Sequence, residues 1–181
     1  MGSRSTSVVS RMGPVKGRQL TAGDVLPIGP PSFTNVACGP PLVLPEGGAR
    51  LRSIRGPHDG MFAAEALETL FKSRYLVTVH SNRMGYRLEG PSLRHLADAD
   101  ILSDATPIGS LQVPASGQPI LLMADRQTTG GYPKIATVIT ADLPLAGQLA
   151  PGDWIEFQAC TRDEAVQALR RQETALSGET T

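Results

Sequence analysis

Apolar and polar residues alternate in short bursts along most of this chain, and glycine or proline separates one burst from the next. Leu51 and Ile54 lie in a short strand that runs into Gly56 and Pro57. Phe62, Ala66, Leu67, Leu70 and Phe71 then recur at helical spacing, which predicts an amphipathic helix over 61–72 with Asp59 at its N-cap. Residues 75–79 (YLVTV) are β-branched and aromatic and predict a strand, and 84–89 (MGYRLE) predict another, entered through a polar turn at 81–83. Residues 110–113 and 119–124 flank Pro114 and Gly117, the signature of a hairpin in which proline opens the turn and glycine supplies a positive φ. A strand at 134–140 (KIATVIT) and a short helix near 142–149 follow, then a Pro151-Gly152-Asp153 turn and a period-two strand at 154–159 (WIEFQA). Thr161 and Glu164 form a capping box ahead of a last helix whose apolar face holds Ala165, Val166 and Leu169.

This order, many short strands with two or three helices between them and no sustained βαβ rhythm, predicts a mainly β fold: an antiparallel β-barrel with small helices over its openings. Residues 1–50 read as a Gly/Pro-rich segment with short extended pieces at 25–28 and 42–44. Residues 51–176 form the barrel core, and 177–181 a disordered tail.

Composition narrows the function. Lysine plus arginine (17) equals aspartate plus glutamate (17), so the basic excess expected of a nucleic-acid binder is missing. No apolar run approaches the roughly 18 residues of a membrane span, and the N-terminus has no apolar signal core, which places the protein in the cytoplasm. There Cys38 and Cys160 are expected as reduced, packed thiols. The three histidines (His58, His80, His95) are scattered and no CxxC occurs, so no metal site is expected. Neither a GxSxG elbow nor a Walker A loop is present; residues 130–134 (GGYPK) have the composition of a phosphate loop without its spacing.

Two segments concentrate polar chemistry. The first is SNRMGYRLEG at 81–90, where strand alternation puts Arg83, Gly85 and Arg87 on one face and Met84, Tyr86 and Leu88 on the other. That face is either an exposed surface with Arg–Glu pairs or two guanidinium groups aimed at a carboxylate or phosphate. The second is ADRQTTGGYP at 124–133, longer than a bare connection between strands needs. It is either a long structural turn or a binding loop built from Asp125, Gln127, Thr128, Thr129, Gly130, Gly131 and Tyr132, with the glycine pair freeing backbone N–H groups.

SNRMGYRLEG and ADRQTTGGYPKI resemble the signature stretches of the family of biotin-dependent carboxyltransferases and 5-oxoprolinase C subunits, also called allophanate hydrolase subunit 2. GPHDGMF, SLQVPASGQPILL and ITADLPLAGQLAPGDWIEF support the match, which runs in order from about 2 to 157. The resemblance implies a cyclophilin-like barrel that pairs with the B subunit of 5-oxoprolinase (allophanate hydrolase subunit 1 type) and a third, lactam-utilisation subunit in ATP-dependent hydrolysis of 5-oxoproline to glutamate. Relatives serve as the carboxyltransferase component of biotin-dependent urea carboxylase, with biotin on a partner, and another is described as the antagonist of a kinase inhibitor. Family members usually open with a PGxxTTVQDxGR-like stretch that this sequence does not contain, so the chain is expected to correspond to the C-terminal half of the family protein.

Under the hydrolase reading, Arg83, Tyr86, Arg87 and the 127–132 loop would hold the substrate, Asp125 would be the catalytic base, and the Gly130 and Gly131 N–H groups would face the developing oxyanion. ATP and its magnesium would act in the complex without binding tightly to this chain. The other readings are a carboxyltransferase component, a non-catalytic module that docks on a partner, and a nonfunctional remnant.

Overall fold

The computed structural model describes residues 4–8, 10–30 and 44–177. Backbone contacts divide the chain into two units, Met1–Val36 and Ala37–Thr181. In the first, Ser7 and Met12 pair across an isolated bridge, a 3-10 turn spans Val15–Gly17, and Asp24 gathers both the Arg18 guanidinium (2.6 and 2.8 Å) and the Thr21 N–H (2.7 Å). Of the alternatives at 25–28, a short strand or a connector, the structure has the connector: these residues are exposed and join no ladder. Residues 42 and 43 of the second expected piece lie outside the described residues.

The second unit is the barrel. In chain order its elements are β1 (Gly48–Arg55), α1 (Ala64–Lys72), β2 (Arg74–Val77), β3 (Gly85–Glu89), β4 (Asp104–Ala105), β5 (Ser110–Gln112), β6 (Ile120–Leu122), β7 (Thr129–Gly130), β8 (Lys134–Val138), α2 (Leu143–Ala146), β9 (Trp154–Ala159) and α3 (Arg162–Ser177). Seven strands close in the order β1-β8-β5-β6-β3-β2-β9, and β4 pairs with β7 in a separate two-stranded ribbon. The fold is mainly β, as expected, but its antiparallel character has one exception. β1 and β9 run parallel in register from Gly48 opposite Trp154 to Ser53 opposite Ala159, which closes the barrel between its first and last strands.

Leu51, Tyr75, Leu111, Leu121, Ile135, Ile155 and Phe157 fill the interior and are fully buried. Ala66 and Leu70 of α1 and Ala146 of α2 join the same core. At roughly 25 cal/mol per Å² of apolar surface removed from water, this shared interior is the dominant favourable contribution. The 114–117 turn is as expected, with Gly117 at φ +74° and its N–H bonded to the Pro114 carbonyl (2.9 Å).

Asp59 is not the cap of α1. Its carboxylate takes the Arg55 guanidinium at 2.6 Å and its backbone opens a 3-10 turn over Asp59–Met61. Phe62 then runs extended to bridge His95, with the rings 4.6 Å apart, so the helix begins only at Ala64. The second capping expectation is met: the Glu164 carboxylate accepts the Thr161 N–H at 2.7 Å, and Thr161 Oγ1 accepts the Glu164 N–H at 3.2 Å.

Candidate functional site

The polar turn at 81–83 folds back on β3. Asn82 Oδ1 accepts the Met84 N–H (2.8 Å) in an Asx turn, and Ser81 Oγ accepts the Arg87 N–H (3.1 Å). β3 then pairs with β6 in a register that sets Gly85 opposite Leu122, Tyr86 opposite Leu121, and Arg87 opposite Ile120. Because opposed residues share a face, Tyr86 and Leu121 point into the barrel and Arg87 and Ile120 point out. The row continues: Ile120 is opposite Gln112 on β5, and Gln112 is opposite Lys134 on β8. Arg87, Ile120, Gln112 and Lys134 thus form one lateral line across the outer surface of four strands.

The 124–133 loop crosses this surface. Thr106 pins it by donating its N–H to the Thr128 carbonyl (2.9 Å) and its hydroxyl to the Gln127 carbonyl, while Arg126 Nε donates to the Thr106 carbonyl (2.7 Å). The β4–β7 ribbon, with Asp104 opposite Gly130 and Ala105 opposite Thr129, completes the cover. Gln112 is left only 1% exposed, and its Nε2 donates to the Tyr132 carbonyl at 3.4 Å.

Between the loop and the strands lies a groove of about 190 Å³, lined by Arg87, Gln112, Gln127, Tyr132, His80 and Asn82 among others. Drug-sized sites span roughly 300–1,000 Å³, so this one suits a small metabolite. It adjoins a broader concavity of about 490 Å³ that shares Arg87 and His80 and reaches Thr78, whose Oγ1 is buried with no partner among the described residues. Arg87 stands at the junction. Among the described residues no acceptor reaches its guanidinium, so five N–H donors stay free for an anion.

The expected site residues divide. Arg87, Gln127 and Tyr132 line the small groove together. Thr128 and Thr129 are exposed on the loop and contribute backbone to its anchoring. Tyr86 packs against the barrel core, and that burial raises its hydroxyl pKa. Arg83 and Asp125 face each other outside the groove in a two-bond pair (2.7 and 3.0 Å), with the Asp125 N–H donated to the Arg83 carbonyl (2.8 Å). The hydrogen-bonded guanidinium holds the Asp125 carboxyl below its ordinary value, which makes it a weaker base.

Of the glycine pair, Gly130 is held to glycine by close packing as well. Neither Gly130 nor Gly131 has a positive φ. A Cβ on Gly130 would meet Gln112 Nε2 at 2.7 Å and Gln127 Nε2 at 3.4 Å, so glycine is there to let the two amides converge.

Sequence reasoning missed Gln112 and Lys134. The available signal was a polar residue inside two apolar strands, SLQV and KIATV, where alternation alone reads it as solvent-facing. Lys134 is 1% exposed, and its Nζ donates to Asp104 Oδ2 (2.7 Å) and the Ala105 carbonyl (2.8 Å). His58 lies beside them, its Nδ1 accepting the Lys134 N–H (3.3 Å) and its Nε2 3.9 Å from Asp104. Burial first, then the Lys134 charge, hold the His58 pKa below its usual value. Cys160 is a free, half-buried thiol with a raised pKa, chiefly from burial; Cys38 lies outside the described residues. Among the described residues no three His, Cys, Asp or Glu side chains group as a metal site, and no helix is long and apolar enough to cross a membrane.

Comparison with known proteins bears on this geometry. Residues 1–159 match the family model described as carboxyltransferase domain, subdomain A and B. The chain is 40% identical over 174 residues to the C subunit of 5-oxoprolinase from Escherichia coli, covering 96% of this chain and 56% of that protein. It is 37% identical to the Haemophilus influenzae protein of the same name, covering 97% and 56%. The chain therefore spans little more than half the length of these relatives. The crystal structure of Kluyveromyces lactis urea carboxylase superposes with a TM-score of 0.81 at 27% identity, over 98% of this chain and 18% of that one. With the matched model covering the barrel and the groove alike, the chain belongs to the family of carboxyltransferase domains, subdomain A and B.

Proposed function

We propose that this chain is the C-terminal part of the C subunit of an ATP-dependent 5-oxoprolinase, acting in the cytoplasm with a B subunit and a lactam-utilisation subunit to hydrolyse 5-oxoproline to glutamate. The observation that carries this reading is the unpartnered Arg87 guanidinium at the mouth of a small amide-lined groove, in a chain 40% identical to a 5-oxoprolinase C subunit. 5-Oxoproline has one carboxylate, one lactam carbonyl and one lactam N–H. Arg87 matches the first through paired N–H···O bonds, and the Gln112 and Gln127 amides can each donate to the carbonyl or accept from the N–H. In this reading Arg83 and Asp125 fix the loop's entry, and Tyr132 forms one wall.

The groove lining holds one guanidinium and no cluster of metal-binding carboxylates among the described residues. It does not fit a nucleotide with its magnesium, so ATP and magnesium are assigned to the partner subunits. By itself the chain is expected to be inactive. The test is reconstitution with the partner subunits and measurement of phosphate release dependent on 5-oxoproline. Release that falls when Arg87 or Gln127 is replaced by alanine supports the reading, and none from a well-formed complex contradicts it.

A second reading is favoured by the carboxyltransferase description of the family and the likeness to urea carboxylase. In it the same groove faces a carboxylated biotin carried by a partner, and avidin inhibits turnover. A complex that forms without turnover of either kind leaves the chain as a partner-binding module.

A further inference from the structure

Lys134 has no part in the groove lining, yet among the described residues it is the most completely buried charge, with a side chain 2% exposed. An ammonium taken out of water is unfavourable unless its donors are matched, and here two are: Asp104 Oδ2 at 2.7 Å and the Ala105 carbonyl at 2.8 Å. Both acceptors belong to β4, while the lysine backbone belongs to the barrel. The charge therefore spans from the barrel to the ribbon.

What the ribbon carries gives this contact its meaning. β4 pairs with β7 over two residues only, flanked by the Ile101 N–H to Gly131 carbonyl bond (2.8 Å) and the Thr106 N–H to Thr128 carbonyl bond (2.9 Å). A two-stranded ribbon this short does not hold itself together in water. Its β7 strand sits in the loop between Gln127 and Tyr132, two walls of the groove. Below it, Lys134 is directly opposite Gln112, the third wall, and that row ends at Arg87. Gly130, opposite Asp104, is the point where the Gln112 and Gln127 amides converge.

We infer that Lys134 is a positioning residue: its ammonium clamps β4 to the barrel, and through β4 it sets the spacing of Gln127 and Tyr132 over Gln112 and Arg87 before any ligand arrives. An apolar side chain of equal length would fill the same space without fixing β4, because packing is non-directional where two hydrogen bonds are not. The inference rests on the reading of the groove as the ligand site, but it makes a claim about the ribbon that can be read without turnover.

The experiment is amide hydrogen exchange on the full chain, comparing wild type with Lys134→Met and Asp104→Ala. The expected result is exchange faster by roughly tenfold or more at Ile101 and Thr106, with the Leu88 and Val138 amides of the barrel still protected. In the reconstituted complex, Lys134→Met should raise KM for 5-oxoproline by about tenfold and leave kcat within about twofold, the split expected of lost binding geometry. Unchanged exchange at Ile101 and Thr106 in both variants overturns the inference. Should Lys134→Met fail to fold, Asp104→Ala decides, since that carboxylate is half exposed and the Ala105 carbonyl still accepts from the ammonium after its removal. Faster ribbon exchange in a complex whose wild-type form turns over no 5-oxoproline upholds the clamp and refutes the substrate.

Discussion

A methyl group on Gly130 would come within 2.7 Å of Gln112 Nε2, closer than side-chain carbons approach their neighbours. Gln112 Nε2 ends a side chain that borders the groove, and it can yield to the methyl only by turning away from the Tyr132 carbonyl to which it donates at 3.4 Å. Gly130→Ala is therefore expected to cost about 1–3 kcal/mol through overpacking, with Gln112 or the ribbon displaced. Denaturant unfolding gives the cost, and an unchanged midpoint contradicts the close packing of the two amides.

Arg87 should behave in the opposite way. Its guanidinium has no partner among the described residues, so Arg87→Ala is expected to move stability by no more than about 0.5 kcal/mol. Loss of a charged hydrogen-bonded contact of about 1.5–3 kcal/mol corresponds to roughly 10- to 150-fold weaker binding of a carboxylate ligand. Calorimetric melting and ligand titration on the same variant separate the two effects. Arg87→Lys should recover only part of the affinity, because an ammonium cannot reproduce the planar fork.

The Arg83–Asp125 pair is exposed, at 78% and 53% of the side chains. Breaking it is expected to change stability little, because solvent screens an exposed pair. If the pair only fixes the loop, Arg83→Ala and Asp125→Asn should give similar, modest losses of turnover, and the double variant no more than either. A catalytic base at Asp125 would instead cost roughly 10²–10⁴-fold in Asp125→Asn alone.

His58 gives the fold a pH dependence. Burial and the neighbouring Lys134 charge lower its pKa in the folded state, so the fold favours the neutral ring. The stability this contributes is complete above the unfolded value near 6.5, and it is lost as pH falls from there through the folded value. Melting temperature measured from about pH 7.5 to 5 should fall more steeply for wild type than for His58→Gln. Equal slopes would mean that the ring titrates alike in both states.

Much of the barrel was legible in the sequence because its strands alternate against a single interior. WIEFQA, KIATV and GYRLE form strands where expected, and the Thr161–Glu164 box marked the start of α3. What failed depended on partners remote in sequence. Asp59 resembled a cap until Phe62 paired with His95, and the parallel β1–β9 closure joins residues about a hundred positions apart. The site was half legible. Arg87, Gln127 and Tyr132 stood out as polar groups on signature segments, whereas Gln112 and Lys134 looked like ordinary outward positions of two strands. No local pattern reveals that a loop remote from Gln112 in sequence folds over it. The same blind spot hid the contact at Gly130, where a Cβ would meet the Gln112 amide of another strand.

The kinetics of the reconstituted complex with wild type and Arg87→Ala test the groove most directly. The expected result is phosphate release dependent on 5-oxoproline, with kcat/KM lowered roughly 10- to 150-fold in the variant at unchanged melting temperature. Equal kcat/KM for the two proteins would show that the Arg87 groove does not hold the substrate.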